Sequence, residues 1–368
     1  MIERNYKIDI IKGIGIILMV FYHASTPGES FAYLFHMALF FICSGFCFNS
    51  KNIKQPIQYI KKKIKSLYLP FLISSIIVLL LHNTLLDLHI YSYKRYDRLT
   101  AETFLKELAR SFLFLEHHQM ISANWFFRTL CMSSIAYMLI QLLLSKLHLK
   151  AKNRMIVRAA ICVLCTSAGC YLGYISNHGK LFNFLTVMLL VDFGYNLRKL
   201  ELMKVLNSIP RYISAGILSF LMLCFLHRFG NISINQNKVV NPVFFFCCSI
   251  SGFVMIYAAA CILEKVNKAV SVLCFLGKNS MVVVFCQYIG FKIVTFLEII
   301  VRGDPINKLS SYPTYITDHG LWIVYGIFGI GVSILFVLII KYLKHRFSFF
   351  ILKHASRGGI IIKYINNN

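Results

Sequence analysis

Charge is scarce in this chain: Asp, Glu, Lys and Arg make up 14% of 368 residues, against about 25% in soluble domains. Acidic residues are the scarcest, 14 against 39 Lys and Arg. There is no low-complexity tract, no repeat of fixed period and no Pro/Gly/Ser-rich linker, which excludes solenoid, collagen-like and disordered architectures. With 58% hydrophobic residues and a mean hydropathy of +0.66, a water-soluble fold is excluded as well.

What is present is a series of apolar blocks of the length that crosses hydrocarbon as a helix, about 20 residues. Hydropathy places ten spans, at 8–24, 33–49, 67–82, 124–144, 156–175, 181–197, 212–228, 243–263, 272–291 and 320–340. The expected fold is therefore all-α: a polytopic integral membrane protein of about ten transmembrane helices. Residues 1–345 would form the membrane domain, and 346–368 a basic cytoplasmic tail. The loops on one side of these spans, together with both ends, carry 26 of the 39 Lys and Arg; the other side carries 11. Basic loops stay on the cytoplasmic side, so both termini are expected there. Because the basic residues are spent on orientation and no separate basic domain exists, the lipid bilayer is the expected partner and nucleic acid is not. The first block, interrupted by Asp9 and Lys12 and lacking a small-residue cleavage site, reads as a permanent helix.

Twelve cysteines lie almost wholly inside apolar blocks. The one CxxC, Cys162 and Cys165, has no second pair or nearby His, so neither a metal site nor a disulfide framework is expected.

Ionisable groups within membrane helices are costly and mark functional sites. The first block has three. Lys12 and His23 are eleven residues apart, about three turns, and share one face; Asp9 lies within about 60° of it. The polar stripe, about 21 Å long at 1.5 Å per residue, must face the protein interior. Snorkelling to the cytoplasmic edge would account for Asp9 and Lys12 alone. It accounts less well for His23, which is either a structural buried histidine or a neutral imidazole that can take a proton from a hydroxyl at ordinary pH.

A second histidine, His36, opens the next block, and deeper in it Ser44 and Gly45 allow close helix approach or leave a slot. Trp125 and Arg128 open the fourth span. Trp125 suits an interfacial belt, whereas Arg128, always charged, needs a carboxylate, a backbone carbonyl or a ligand oxygen; Asp192 and Glu298 are candidate carboxylates. At the start of the ninth block, Gly277 relaxes the backbone, and Lys278, Asn279 and Ser280 either cap the helix or contact an anion. The segment 83–123, with His89, Arg95, Arg98, Glu102, Glu107, Arg110, Glu116, His117 and His118, is either a partly helical cap over the membrane mouth or a solvated loop.

In this order, Ile8-Asp9-Ile10-Ile11-Lys12-Gly13 with His23, Phe35-His36-Met37 to Ser44-Gly45-Phe46, Trp125-Phe126 and Leu276-Gly277-Lys278-Asn279-Ser280 resemble the acyltransferase 3 family of integral membrane acyltransferases. The resemblance spans all ten blocks. It implies transfer of an acyl group, most often acetyl from acetyl-CoA, to a hydroxyl of a cell-envelope glycan or its lipid-linked precursor, in a multi-pass protein of the bacterial inner or plasma membrane. His23, Lys12 and Asp9 would be the catalytic set, with His23 as general base or as carrier of a covalent acyl group. His36, Ser44, Trp125 and Arg128 would meet the acceptor, and Lys278, Asn279 and Ser280 the acyl-CoA; no metal is implied. The family usually has Arg where Lys12 stands and often a His near Gln287. That second departure removes one acid/base group. A secondary transporter or flippase using Asp9, Lys12, His23 and Asp192 is the competing expectation.

Overall fold

Inside hydrocarbon a backbone must satisfy its own hydrogen bonds, and long apolar runs do so as helices. The computed structural model describes residues 6–115, 118–176, 178–201, 203 and 208–357, with 347–357 as backbone only. Twelve of its longer helical segments serve as reference points: α1 Tyr6–His23, α2 Ala38–Cys47, α3 Pro56–Leu80, α4 Ala101–Phe112, α5 Trp125–Lys146, α6 Ala151–Ile175, α7 Met188–Lys199, α8 Ile209–Leu226, α9 Pro242–Leu263, α10 Asn267–Lys278, α11 Ser280–Arg302 and α12 Leu321–Arg357. No strand occurs among the described residues. The protein is an all-helical, polytopic membrane protein.

Eight helical stretches among the described residues are long and apolar enough to cross a membrane: Glu29–Cys47, Pro56–Leu80, Gln119–Lys146, Ala151–Ile175, Ile209–Phe229, Pro242–Leu263, Ser280–Arg302 and Leu321–Arg346. The other two expected spans are helical as well. One is α1, 18 residues that include Lys7, Asp9 and Lys12. The other is divided into a short turn at Gly179–Phe182, a four-residue helix Asn183–Thr186 and α7. The expected tail, 346–368, begins inside α12, and its last eleven residues lie outside the described chain.

The ninth span departs from expectation. Hydropathy runs without interruption through 272–291, yet the helix breaks at Asn279, and the membrane-length segment is Ser280–Arg302. The physical reason is local. The Asn279 backbone N–H and side-chain Nδ2 both donate to the Phe275 carbonyl, at 3.1 and 2.7 Å, which closes α10 with an asparagine that competes with the helical ladder. Gly277 therefore belongs to the last turn of α10, where it does a different job from relaxing a helix start. A Cβ there would overlap the Asp9 carbonyl of α1, and a Cβ on Gly13 would overlap the Leu273 carbonyl of α10. The two glycines let these backbones touch.

The same device joins α2 to α7 through Gly45, which faces the Val191 carbonyl, and Gly194, which faces that of Ile42. As a result α1 is enclosed, in contact with α2, α9, α10, α11 and α12. Between α3 and α5 the chain forms α4, with a capping box at Thr100 and Thr103, and a 3-10 turn at Gln119–Asn124. The segment 83–123 is thus partly helical; Glu116 and His117 lie outside the described residues.

Candidate active site

Two cavities open at the two ends of α1. The first, about 200 Å³, is lined by His23 and Met19 of α1, by Tyr33, His36 and Met37 before α2, by Trp125 and Phe126 of α5, and by the turn 232–236. The second, about 590 Å³, is lined by Lys12 of α1 and by Ser44, Lys51, Tyr59, Lys62, Lys63, Lys278 and Ser280, among others. His23 and Lys12 are eleven residues apart on one helix, about 17 Å along its axis. Phe126 lines both cavities. Its ring packs edge-on against Phe40 and Phe41, with centroids 5.3 and 5.7 Å away.

At His23 the geometry determines which nitrogen carries the proton. Nδ1 is 3.0 Å from Gln287 Oε1. Gln287 Nε2 donates to the Val284 carbonyl at 3.3 Å, so the amide presents its oxygen to the imidazole and Nδ1–H donates to it. Nε2 is then left with a lone pair, as a base requires. Tyr288 stacks on the ring at 5.6 Å between centroids, with its hydroxyl 3.4 Å from Nδ1. Ser122 ties Tyr288 to Tyr312: its hydroxyl donates to Tyr288 at 3.2 Å and meets the Tyr312 hydroxyl in a short contact. Burial pushes the Tyr312 phenol above its ordinary pKa, so it stays a neutral member of this chain. The loop that carries it is held by Lys292, whose ammonium donates to the Leu309 and Ser311 carbonyls at 2.7 and 2.6 Å. His36 Nδ1–H donates to the Ala32 carbonyl at 2.8 Å, and Tyr22 and Tyr33 pack against its ring.

The second cavity is built from positive charge. Five lysines line it and no carboxylate does. Lys63 Nζ donates to Ser134 Oγ at 3.0 Å, and the Ser44 hydroxyl is 3.2 Å from the same oxygen. Ser134 itself donates to the Leu130 carbonyl at 2.6 Å, leaving its oxygen free to accept from both. Among the described residues no trio of His, Cys, Asp and Glu side chains is grouped to hold a metal ion.

The acyltransferase-domain family model, acyltransferase 3, matches residues 5–342. The chain belongs to the acyltransferase 3 family. No curated protein and no solved structure matches it.

In this acyltransferase the structure divides the residues singled out from sequence into three groups. His23, His36 and Trp125 meet at the smaller cavity. Lys12, Ser44, Lys278 and Ser280 meet at the larger one, so Ser44, expected on the acceptor side, stands with the lysines instead. Asp9, Arg128 and Asn279 line neither. Asp9 is buried, with its carbonyl at the α1–α10 contact; Asn279 ends α10. Arg128 is buried too, and its guanidinium donates to the Lys180 carbonyl at 3.0 Å. The two candidate carboxylates are engaged elsewhere. Asp192 is bound by Arg158, by the Tyr137 hydroxyl at 2.9 Å and by Asn196 at 2.9 Å, and Glu298 accepts from Tyr325 at 2.6 Å.

Sequence reasoning missed Gln287 as a partner of His23: the position that lacks the family's frequent histidine supplies a hydrogen-bond acceptor in its place. It also missed Lys51, Lys62 and Lys63. For Lys62 and Lys63 the signal was present in the run Lys61-Lys62-Lys63, but orientation by basic loops explained the same residues.

Proposed function

We propose that this protein is a membrane O-acyltransferase that moves an acyl group, acetyl by preference, from acyl-CoA to a hydroxyl of an envelope glycan or its lipid-linked precursor. The observation that carries the reading is the division of α1 between two chambers, Lys12 in a lysine-lined one and His23 in one without formal charge, with Phe126 common to both.

CoA carries a pyrophosphate and a 3′-phosphate, and ammonium groups in a chamber without carboxylates attract such a polyanion. Lys12, Lys63 and Lys278 would hold its phosphates, with Ser44 and Ser280 donating beside them. This chamber is bordered by Lys51, Lys62, Lys63 and Lys278, all from loops that the basic-residue excess assigns to the cytoplasm, where the donor is made. The thioester arm would pass Phe126 to reach His23.

There the acceptor hydroxyl gives its proton to His23 Nε2 as its oxygen bonds to the thioester carbonyl carbon. The tetrahedral intermediate collapses with cleavage of the C–S bond. The imidazolium returns the proton to the departing CoA sulfur, leaving an ester on the acceptor. Gln287 would hold the imidazole in the required tautomer and accept a stronger, charge-assisted hydrogen bond when the ring is protonated. The His36 imidazole lies on the same cavity, within reach of the acceptor.

No observation favours the transport reading, because Asp192 is closed within its own ion pair rather than continuing a path from His23. The direct test is radiolabelled acetyl-CoA added to membranes that contain the protein. Label on glycan is expected. Solute uptake without glycan label would overturn the proposal.

A further inference from the structure

Between α8 and α9 the chain folds into a tight turn in which Ser233 and Lys238 pair through two backbone hydrogen bonds, 2.8 and 2.9 Å. Asn237 anchors it. That residue is buried at φ 54°, donates from Nδ2 to the Gly169 and Gly179 carbonyls at 2.8 and 3.0 Å, and accepts from Thr186 Oγ1 at 2.7 Å. With its base fixed, the turn presents Ser233, Asn235 and Gln236 to the cavity that contains His23. Asn235 and Gln236 are exposed at the rim, and among the described residues their side-chain amides make no hydrogen bond within the protein.

The lining also has the aromatic side chains of Tyr33 and Trp125, and no lining residue is Asp, Glu, Lys or Arg. An anionic or cationic acceptor would leave an uncompensated charge there. A neutral sugar ring would lay its C–H face on the aromatics and its hydroxyls against the amides.

Resting on the acyltransferase reading, we propose that the turn 232–238 is the acceptor-recognition element of this protein, and that the group it admits beside His23 is an uncharged pyranose, with Asn235 and Gln236 as its specificity-determining residues.

The chain has two tryptophans, Trp125 and Trp322. Trp322 sits on α12 against Phe21, away from the cavity lining, so Trp322→Phe makes Trp125 the sole reporter of occupancy. The full chain with this change is placed in lipid nanodiscs and titrated with five probes. Three are neutral: hexyl β-D-glucopyranoside, its galactose epimer and its N-acetylglucosamine analogue. Two are charged: the glucuronide and the glucosaminide.

At least one neutral probe is expected to shift Trp125 emission saturably, and its charged counterparts to bind about tenfold more weakly or worse. Asn235→Ala with Gln236→Ala should weaken neutral binding about tenfold, and Gln236→Lys should move preference toward the glucuronide. Both positions are exposed and unbonded, so these variants retain the fold. Equal binding of charged and neutral probes, no binding of any neutral one, or binding unchanged by the variants overturns the proposal. Label transfer from acetyl-CoA to the bound neutral glycoside is followed in the same preparations. Transfer without sugar selectivity overturns only the role of the turn; selective binding without transfer overturns the acyltransferase reading.

Discussion

The two chambers at the ends of α1 differ in the property that matters most for recognition. The larger has five lysines on its walls and no acid; the smaller has two imidazoles, two aromatic hydroxyl or indole groups and side-chain amides, with no formal charge. A single helix serves both because eleven residues bring it back to nearly the same face, so one rigid element sets Lys12 and His23 about 17 Å apart along its axis. The difference teaches how a membrane protein can sort a polyanion from a neutral partner without a soluble domain. Under the proposed function, electrostatics would attract the donor at one end, and the absence of charge would keep its phosphates from entering the other, since buried phosphates without counter-charges are strongly disfavoured.

The comparison is broken most severely at its neutral end. His23→Ala is expected to lower kcat by about 10²- to 10⁴-fold, the usual contribution of a positioned general base, while the amount of protein in the membrane stays at wild-type level. Gln287→Leu separates orientation from base chemistry. It removes the acceptor of the Nδ1 proton, a hydrogen bond to a ring that becomes charged, for which about 1.5–3 kcal/mol is typical, or about 10- to 150-fold in kcat. Gln287→Glu keeps an acceptor there and should retain most of the rate. Steady-state kinetics with labelled acetyl-CoA distinguishes the cases: a rise in donor KM with kcat intact in Gln287→Leu contradicts the assignment.

At the charged end the expected effect lies in binding. Lys63→Ala should raise the KM for acetyl-CoA about tenfold, the size of one lost hydrogen bond to a charged group, with kcat nearly unchanged. The defect should shrink in high salt, where screening weakens wild type more than the variant. A kcat defect of equal size would place Lys63 in the chemistry instead.

Much of this arrangement was legible in the sequence. The ends of α1 were, because helical periodicity is a property of spacing alone: Lys12 and His23 needed no tertiary knowledge to be placed on one stripe. What the stripe faces was not. Lys62 and Lys63 belong to a chain segment distant from Lys12, and their charge is explained equally well by membrane orientation, so only packing of α3 against α5 reveals them as chamber walls. Gln287 carried no signal in charge or hydropathy. The break at Asn279 was hidden because hydropathy does not register a side chain that closes a helix by bonding the Phe275 carbonyl. Gly277 read as relaxed backbone and Gly13 as part of a motif only, although the role of both is contact between two helices. The turn 232–238 lies some two hundred residues from His23, and sequence offers no measure of that approach.

The smallest expected effect concerns the boundary itself. Phe126 borders both chambers and is held edge-on by Phe40 and Phe41, so under the proposed function its ring would set how much room an acyl group has on passing from one to the other. Phe126→Ala widens that passage without touching either set of polar groups. Longer acyl chains should then gain relative to acetyl: the ratio of butyryl to acetyl transfer should rise by roughly fivefold, since an apolar contact of this kind is worth on the order of 1 kcal/mol in discrimination. Water should enter by the same route, and acceptor-independent release of carboxylate from the thioester should increase as its oxygen replaces the sugar hydroxyl in the attack. Competition between the two donors, followed by mass analysis of the acylated product, measures the first effect; release of free CoA without acceptor measures the second. If neither changes, the ring is packing only, and the two chambers communicate by a path that Phe126 does not line.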